Sequence, residues 1–246
     1  MIWFSEIDST NNHAKKLARE GAAAGTAVAA DYQTGGRGRL GRSFHSPRGT
    51  GMYLSYIFRP EKPVEACMHL TCACAVAVAE AIEGMCGITP GIKWPNDICF
   101  GGKKLGGILT EVSGENGRLQ WAVVGIGINV STPDGGFPEE ISGIAQSLQD
   151  VCGKEISPRQ LAEAVQEKLC DLAETLRSQQ QGWMEKYRKL CVTTGKTVRV
   201  IAPEETREAV AETVDDQGGL TVRYADGTKS TVSSGEVSVR GMYGYL

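Results

Sequence analysis

The amino-acid sequence predicts an α+β protein in which a mixed β-sheet is backed by helices and followed by a small all-β unit. A long, Ala-rich helical pattern over residues 63–86 separates two groups of strand-like segments, and the later segments are joined by turn residues as in an antiparallel meander. From Val192 the chain consists of short strand patterns between turns, which is typical of a small closed barrel. These observations place a domain boundary near residue 191 and divide the chain into residues 1–191 and 192–246.

Local signals justify the individual elements. Ser9 or Thr10 is expected to cap the first helix, which Gly21 ends. Ser157 and Gln160 form a capping box that opens a later helix. The predicted strands are 2–7, 25–34, 49–60, 91–97, 98–100, 104–113 and 119–130, the predicted helices are 8–22, 63–86, 157–179 and 182–190, and the long loops are 33–48 and 131–147.

Composition and charge narrow the possible function classes. The chain has 246 residues and 41% hydrophobic content, enough for a sizeable core. Its net charge of −3 argues against non-specific nucleic-acid binding, which usually requires basic stripes. Eight cysteines lie mostly inside apolar patterns, which favours reduced thiols in the cytoplasm over a disulfide or metal framework. We expect neither a signal peptide nor a membrane span, and the three separated histidines predict no zinc site.

The segment Gly35–Arg42, GGRGRLGR, contains four glycines and three arginines. It matches G-x-G-x-x-G formally, but a loop and a strand follow it rather than the helix that dinucleotide binding requires. Guanidinium groups can hold a carboxylate or phosphate with paired hydrogen bonds, and glycines let backbone N–H groups approach the same anion. The segment therefore predicts an anion-binding loop, with a solvated flexible loop as the alternative.

Two glycine-containing strands carry the next candidate residues. Lys103 and Lys104 enter a strand that Gly106 and Gly107 interrupt, and glycines inside strands often mark close approach of a ligand or of another backbone. One of the two lysines is expected to point toward a sheltered face. The alternatives are a surface lysine and a β-bulge.

The strand GIGINV and the segment DSTN are the remaining candidate ligand-binding segments. Gly125 and Gly127 clear one face of their strand, and Asn129 follows at its end, although packing against a helix would require the same glycines. Residues 8–11 form a polar cluster that simple helix capping would also explain. Taken together, these features suit a ligand with an apolar body and an anionic end. With no evident nucleophile or general base, they favour transfer at phosphorus, where positioning and electrostatics dominate.

The motifs STN, YQTGGRGRLGR, KWPNDI, GKKLGGILTE and GIGINV occur in that order over most of residues 4–150. In this order and spacing the sequence resembles the biotin protein ligase family, and the C-terminal segment with GEVSVRG resembles the small SH3-like domain of that family. The resemblance implies a catalytic domain similar to class II aminoacyl-tRNA synthetases. It also implies that biotin and ATP, with Mg²⁺, form biotinyl-5′-AMP, from which a lysine of a biotin carboxyl carrier protein receives the biotinyl group.

The resemblance also implies roles for individual residues. Lys104 and Arg39 are expected to be catalytic, and no metal ligand is assigned. The residues expected to bind biotin are Ser9, Thr10, Asn11, Gln33, Gly36, Arg37, Gly38, Arg39, Lys104, Gly106 and Gly107. The residues expected to bind ATP or the adenylate are Arg37, Arg39, Arg42, Lys104 and Asn129. We further expect the arginine loop to be disordered without ligand and to close over the adenylate.

The sequence departs from the family pattern at three places. Phe44 stands where the family often has Trp, and Leu40 stands where some members have another Arg. The chain begins at the ligase domain, so we expect a short form without the DNA-binding region of longer members, and hence no DNA partner and no membrane partner. A homodimer is left open.

Two other functions compete with a biotin ligase. A lipoate ligase also forms an acyl-adenylate, but GRGRLGR and KWPND favour biotin. A non-catalytic biotin-binding protein would have no need for the phosphate-binding residues Arg39 and Lys104.

Overall fold

The structure is a computed structural model that describes residues 1–60, 67–115, 118–175, 179–202, 205–233 and 238–241. The strands are β1 (Ile2–Phe4), β2 (Ala27–Ala30), β3 (Gly51–Phe58), β4 (Gly91–Lys93), β5 (Asp97–Phe100), β6 (Lys103–Glu115), β7 (Arg118–Asn129), β8 (Thr197–Ile201), β9 (Thr206–Val214), β10 (Leu220–Tyr224), β11 (Lys229–Val232) and β12 (Ser238–Gly241). The α-helices are α1 (Thr10–Arg19), α2 (Cys67–Cys86), α3 (Glu139–Ser142), α4 (Leu148–Cys152), α5 (Pro158–Thr175) and α6 (Gln180–Leu190).

Seven strands form the main sheet in the order β1-β2-β3-β7-β6-β5-β4. Only the β1–β2 pair is parallel among the described strands, so the sheet is mixed, as predicted. The expected meander is confirmed, since β5, β6 and β7 pair in sequence and antiparallel. It brings Lys104 at the start of β6 close to Asn129 at the end of β7, because Lys104 lies two residues before Gly106, which pairs with Ile128.

Helices cover both faces of this sheet. Alternate residues of each strand point to opposite faces, and Val28, Ile57 and Val123 form one small core with Ala14 and Ala18 of α1. The strand residues next to them join the larger core on the other face, where α2 packs with α5 and α6. By length and composition, residues 69–86 of α2 could cross a membrane, contrary to the expectation from sequence, but 72% of that window is buried inside the protein, as in a core helix.

Three local predictions are corrected by the structure. Ser9 occupies the N-cap position of α1, but its side chain makes no capping hydrogen bond. The expected strand over 25–34 is only four residues long, since the chain turns into the arginine loop after Ala30. The second long loop, 131–147, is interrupted by α3, and α4 follows it directly.

The short C-terminal strands form a second sheet in the order β11-β10-β9-β8-β12. Two buried hydrogen bonds attach it to the main sheet beyond β4. The backbone N–H of Trp94 donates to Thr193 Oγ1 at 3.0 Å, and the Trp94 indole donates to the carbonyl of Gly218 at 2.9 Å. Arg188 of α6 adds contacts to the Val214 carbonyl at 3.1 Å and to Asp216 at 2.9 Å.

Candidate functional site

A polar cleft opens where the N-terminus of α1 meets the middle of the main sheet. Strands β6 and β7 form its apolar side, and the loop after β2 covers it. The residues that line it are Ser9, Thr10, Asn11, Gln33, Arg37, Phe44, Leu109, Ile126 and Gly127. The structure therefore brings the STN segment, Gln33 and the arginine loop together, although they are far apart in the sequence.

A chain of hydrogen bonds connects α1 to the covering loop. Gln33 Oε1 accepts from the backbone N–H of Thr10 at 2.9 Å and from Thr10 Oγ1 at 3.1 Å. Its amide nitrogen donates to Ser46 Oγ at 3.0 Å, and Ser46 in turn donates to the carbonyl of Phe44 at 2.9 Å. This chain of hydrogen bonds links the first turn of α1 to the covering loop, so contacts within the protein organise the cleft.

Asn11 sits at the bottom of the cleft between two strands. Its amide nitrogen donates to Glu111 Oε2 at 2.9 Å, and its amide oxygen accepts from Ser55 Oγ at 2.5 Å. Glu111 also accepts from Lys15 at 2.7 Å. Burial alone would raise the pKa of Glu111, but the hydrogen bonds from Lys15 and Asn11, with the charges of Lys15 and Arg37, outweigh it and hold that pKa below its usual value.

The two glycines of GIGINV make room for side chains of the protein itself. A Cβ on Gly125 would overlap the Asn11 amide, and a Cβ on Gly127 would meet the Phe44 ring at 2.6 Å. The expectation that these glycines clear one face of β7 is therefore correct. Gly125 makes room for Asn11 of the neighbouring helix α1, which is the packing that the alternative described, and Gly127 makes room for the Phe44 ring.

The arginine loop crosses beside the cleft as a short 3₁₀ turn over Arg39–Gly41. Leu40 in this turn has φ 56° and ψ 38°, a left-handed conformation that is costly for a branched residue, and its side chain is 64% exposed. Arg37 donates to Asn12 Oδ1 at 3.1 Å and lies 3.8 Å from Glu111. Of the loop arginines, Arg37 is among the residues that line the cleft.

Arg39 and Lys104 meet at the motif KWPND. Arg39 donates to Asn96 Oδ1 at 2.9 Å, and Lys104 forms an ion pair with Asp97 at 2.6 Å. Burial lowers the pKa of the Arg39 guanidinium, and the charge of Asp97 opposes that shift. A Cβ on Gly107 would lie 3.1 Å from Asp97 Oδ1 and 3.3 Å from Lys104 Nζ, so this glycine leaves room for the ion pair.

The remaining predicted residues lie around this centre. Gly36 supports the close approach of Phe44 and Ser46, whose atoms a Cβ would overlap. Gly38 donates its N–H to the Arg42 carbonyl at 2.7 Å, and Arg42 itself is exposed. Gly106 lies against the backbone of β7 and, with Gly107, falls outside the set of residues that line the cleft.

The second long loop borders the site at Lys104. The backbone of Lys104 pairs with this loop, its N–H donating to Ile144 at 2.7 Å and its carbonyl accepting from Gln146 at 2.9 Å. Asn129 donates to the Gln146 carbonyl at 3.2 Å. Lys104 and Asn129, two of the five residues expected to bind the nucleotide, are therefore both hydrogen-bonded to loop 131–147.

Sequence reasoning missed three residues that hold the site. Ser55 and Glu111 orient Asn11, and Asn96 anchors Arg39. A signal existed for Ser55, the one small polar residue in the apolar and aromatic stretch MYLSYIF, since a buried polar group requires a partner. No comparable signal existed for Glu111, because its partners Asn11 and Lys15 lie about a hundred residues away.

A protein cage for a metal ion is absent from the described ranges, since their His, Cys, Asp and Glu residues form no group of three that could hold one. Asp97 is the carboxylate beside Lys104, and it is already paired.

Comparison with known proteins identifies the class. The sequence profile of the biotin/lipoate A/B protein ligase family matches residues 3–129, and that of the biotin protein ligase C-terminal domain matches residues 193–240. The chain belongs to the biotin/lipoate A/B protein ligase family.

Several relatives are named for biotin ligation. The chain is 32% identical to the biotin–[acetyl-CoA-carboxylase] ligase of Mycobacterium tuberculosis, over 95% of this chain and 86% of that protein. It is 46% identical to the bifunctional ligase/repressor BirA of Bacillus spizizenii over 63% of this chain, and the match spans only 48% of that relative. A solved structure of biotin protein ligase from Aquifex aeolicus in complex with biotin and ATP is 30% identical, with a TM-score of 0.83 and 98% of both chains covered.

Proposed function

We propose that the protein is an ATP-dependent biotin protein ligase that converts biotin to biotinyl-5′-AMP and transfers the biotinyl group to a lysine of a biotin carboxyl carrier protein. One observation carries this proposal. Arg39 and Lys104 are held by the consecutive residues Asn96 and Asp97, beside a cleft lined by Ser9, Thr10, Asn11 and Gln33. A polar cleft with an apolar side thus leads to two cations, which suits an acid activated on a nucleotide phosphate.

Biotin would lie in the cleft with its carboxylate toward the cations. Leu109, Ile126 and the Phe44 ring supply apolar surface for its rings and chain, and Thr10 and Asn11 supply polar contacts. This arrangement supports the assignment of the STN segment and Gln33 to biotin. The resemblance assigns Gly106 and Gly107 to biotin. Their surroundings favour other roles, because Gly106 allows close packing against β7 and Gly107 leaves room for the Lys104–Asp97 ion pair.

The first half-reaction joins two anions. A carboxylate oxygen of biotin attacks the α-phosphorus of ATP, and the bond to pyrophosphate breaks. Two unit charges 4 Å apart repel by about 4 kcal/mol at an effective dielectric constant of about 20. Arg39 and Lys104 would offset this repulsion and stabilise the charge that develops on phosphorus, with Arg37 and the exposed Arg42 contributing from the loop.

The second half-reaction needs an acceptor amine and protection from water. The amine of a carrier lysine attacks the acyl carbon, AMP leaves, and the amine loses a proton. Closure of the loop that contains Arg37 and Arg39 would keep water from the mixed anhydride until the carrier arrives. Asn129 and the loop 131–147 are placed to contact the nucleotide, since they border Lys104.

We propose that Mg²⁺, the usual companion of ATP, reaches the site with the nucleotide. The described residues offer no three-ligand cage, so the donor set fits an ion that arrives bound to the phosphates. The phosphates of ATP supply oxygen ligands that suit Mg²⁺.

We propose that the main unit has the class II aminoacyl-tRNA synthetase-like topology and that the C-terminal sheet closes as an SH3-like barrel, with the boundary near residue 191. We also propose a cytoplasmic location, where ATP is available and the buried thiols stay reduced. Dimerisation stays a prediction.

Biotin-dependent exchange of pyrophosphate into ATP tests the function directly. Exchange with biotin but not with lipoate or octanoate is the expected result, because the cleft presents polar side chains where a lipoyl ring would need none. Exchange with lipoate would instead identify a lipoate ligase. Biotin binding without pyrophosphate exchange in the presence of any of these acids would identify a binding protein.

A further inference from the structure

We propose that Glu111 and Ser55 are positioning residues that fix the direction of the Asn11 amide and thereby make the cleft selective for the N–H donors of the biotin ureido ring. The inference rests on the proposed function, because it concerns the ligand of the same cleft. Neither residue was assigned a role from the sequence. Glu111 contacts Asn11 from β6, which also lines the cleft, and Ser55 contacts it from β3.

The direction of the amide follows from the chemistry of its neighbours. An ionised carboxylate accepts hydrogen bonds and cannot donate them. Glu111 lies 2.9 Å from the amide nitrogen of Asn11, and the Leu109 carbonyl, also an acceptor, lies 3.4 Å from the same atom. The amide oxygen must therefore face the opposite side, where the Ser55 hydroxyl donates to it.

Lys15 explains why the carboxylate is required at this place. It donates to Glu111 Oε1 at 2.7 Å while Asn11 donates to Oε2, so both oxygens face donors. A glutamine at position 111 would offer one acceptor and one donor to these two donors. The Asn11 amide would then have to turn over or lose its hydrogen bond, and its nitrogen would replace its oxygen on the Ser55 side.

The same network leaves free lone pairs on oxygens of two residues that line the cleft, Thr10 and Asn11. Ser55 has a single proton, and its oxygen lies 2.5 Å from Asn11 Oδ1 and 2.8 Å from Thr10 Oγ1, so it can donate to only one of them at a time. The Thr10 hydroxyl donates to Gln33 and keeps lone pairs free. The oxygens of Thr10 and Asn11 are therefore suited to two N–H groups of a cyclic urea. The dithiolane ring of lipoate has no N–H group and could not donate a hydrogen bond to either oxygen.

Replacement of Glu111 by glutamine tests the inference, with Glu115→Gln as the matched control. Glu115 lies on the same strand, is exposed and accepts from Gln120. In full-length protein we expect Glu111→Gln to raise the Kd of biotin by calorimetry, and the KM of biotin in pyrophosphate exchange, by about tenfold. The kcat at saturating biotin, the KM of ATP and the thermal midpoint should match those of Glu115→Gln, because the lost contact is made equally in ground and transition states.

A double-mutant cycle separates positioning from a general structural effect. In an Asn11→Ala background, Glu111→Gln should have no further effect on the Kd of biotin, since its effect acts through the Asn11 amide. Ser55→Ala should raise the Kd in wild type and by a clearly smaller factor in the same background, where only its contact with Thr10 remains, and this arm decides the matter if Glu111→Gln does not fold. Equal penalties in both backgrounds, or a fall in kcat with unchanged KM, would overturn the inference.

The two proposals fail separately. A wild-type protein that neither binds biotin nor exchanges pyrophosphate would overturn the proposed function and this inference with it. A wild type that exchanges normally, combined with a Glu111→Gln variant that behaves like Glu115→Gln, would overturn only the positioning role.

Discussion

Arg39 and Lys104 are held by partners of different charge. Arg39 donates to the neutral amide of Asn96, and the charge of Asp97 also acts on its guanidinium. Lys104 is paired with the carboxylate of Asp97, which lies at the surface of the site, and the side chain of Lys104 is 27% exposed. An arriving phosphate can therefore interact with a guanidinium that is already oriented and with an ammonium that it shares with Asp97.

Lys104→Ala should lower the rate of biotin-dependent pyrophosphate exchange by about 100-fold, because the developing charge on phosphorus loses one of its two fixed cations. The neighbouring Lys103→Ala is the matched control, since Lys103 is exposed on the same strand. The thermal midpoint of both variants should stay close to that of the wild type. Near-normal exchange by Lys104→Ala would remove this residue from the chemistry.

Arg39→Gly should release the adenylate prematurely, since the guanidinium beside Asn96 would no longer hold its phosphate. The expected result is biotinylation of bystander lysines on an unrelated protein added to the reaction, read by avidin blot. Arg48→Gly serves as the control, because Arg48 lies at the far end of the loop and pairs with Glu6 at 2.7 Å. Strict carrier specificity of Arg39→Gly would show that Arg39 does not retain the adenylate.

Among the elements, the residues of β7 are constrained by the side chains that pack on both faces of this strand. Its apolar residues serve the two cores on alternate faces, whereas its glycines serve Asn11 and Phe44. The strand is central in the sheet, between β3 and β6, so it cannot shift to relieve an overlap. A side chain at Gly125 would therefore displace Asn11 rather than the strand.

Gly125→Ala should weaken biotin binding by about tenfold or more, because the displaced Asn11 loses its hydrogen bonds to Glu111 and Ser55. Gly143→Ala is the control, since a Cβ at that position meets no atom within 4 Å. Calorimetric titration with biotin measures the difference. An unchanged affinity in Gly125→Ala would mean that Asn11 is not needed in its present place.

In the whole molecule, the second sheet is fixed to the first next to the motif that holds Arg39 and Lys104. Trp94 links to Thr193 and Gly218, and the following residues, Asn96 and Asp97, hold the two cations. The position of the catalytic groups and the docking of the C-terminal sheet therefore depend on the same short segment.

Trp94→Phe should lower the free energy of unfolding by about 1–3 kcal/mol, because the buried carbonyl of Gly218 loses its donor. Trp3→Phe is the matched control: Trp3 also donates through its indole, to Asp31 at 2.9 Å, but that bond is only part-buried and water can replace it. Denaturant unfolding measures both variants. A loss in Trp94→Phe no larger than in Trp3→Phe would contradict the role of this contact.

The burial of the cysteine thiols predicts the order in which they react with an alkylating reagent in the folded protein. Burial raises the pKa of Cys72 to about 12 and the pKa values of Cys86 and Cys99 to about 11, so at pH 8 each is a neutral thiol. An alkylating reagent at pH 8 should modify the half-buried Cys152 and Cys170 first and these three only after unfolding. Peptide mapping after alkylation checks the order, and rapid labelling of Cys72 would contradict it.

The sequence by itself determined most of the order of the elements, the meander, the short strands of the C-terminal part and the cluster of glycines and arginines. These depend on hydrophobic periodicity, turn chemistry and local charge, which neighbouring residues express directly. The family motifs extended this to Ser9–Asn11, Gln33, Arg39 and Lys104, most of which the structure brings to one cleft.

Only the tertiary structure decided how those residues are held. Asn11 meets Glu111 and Ser55 because α1 packs against the sheet opposite β3 and β6, and Phe44 lies on Gly127 because the loop after β2 folds over β7. Such contacts join residues tens to a hundred positions apart, so no local pattern records them. Their energies depend on burial and on the direction of each donor and acceptor, which exist only once the chain has folded.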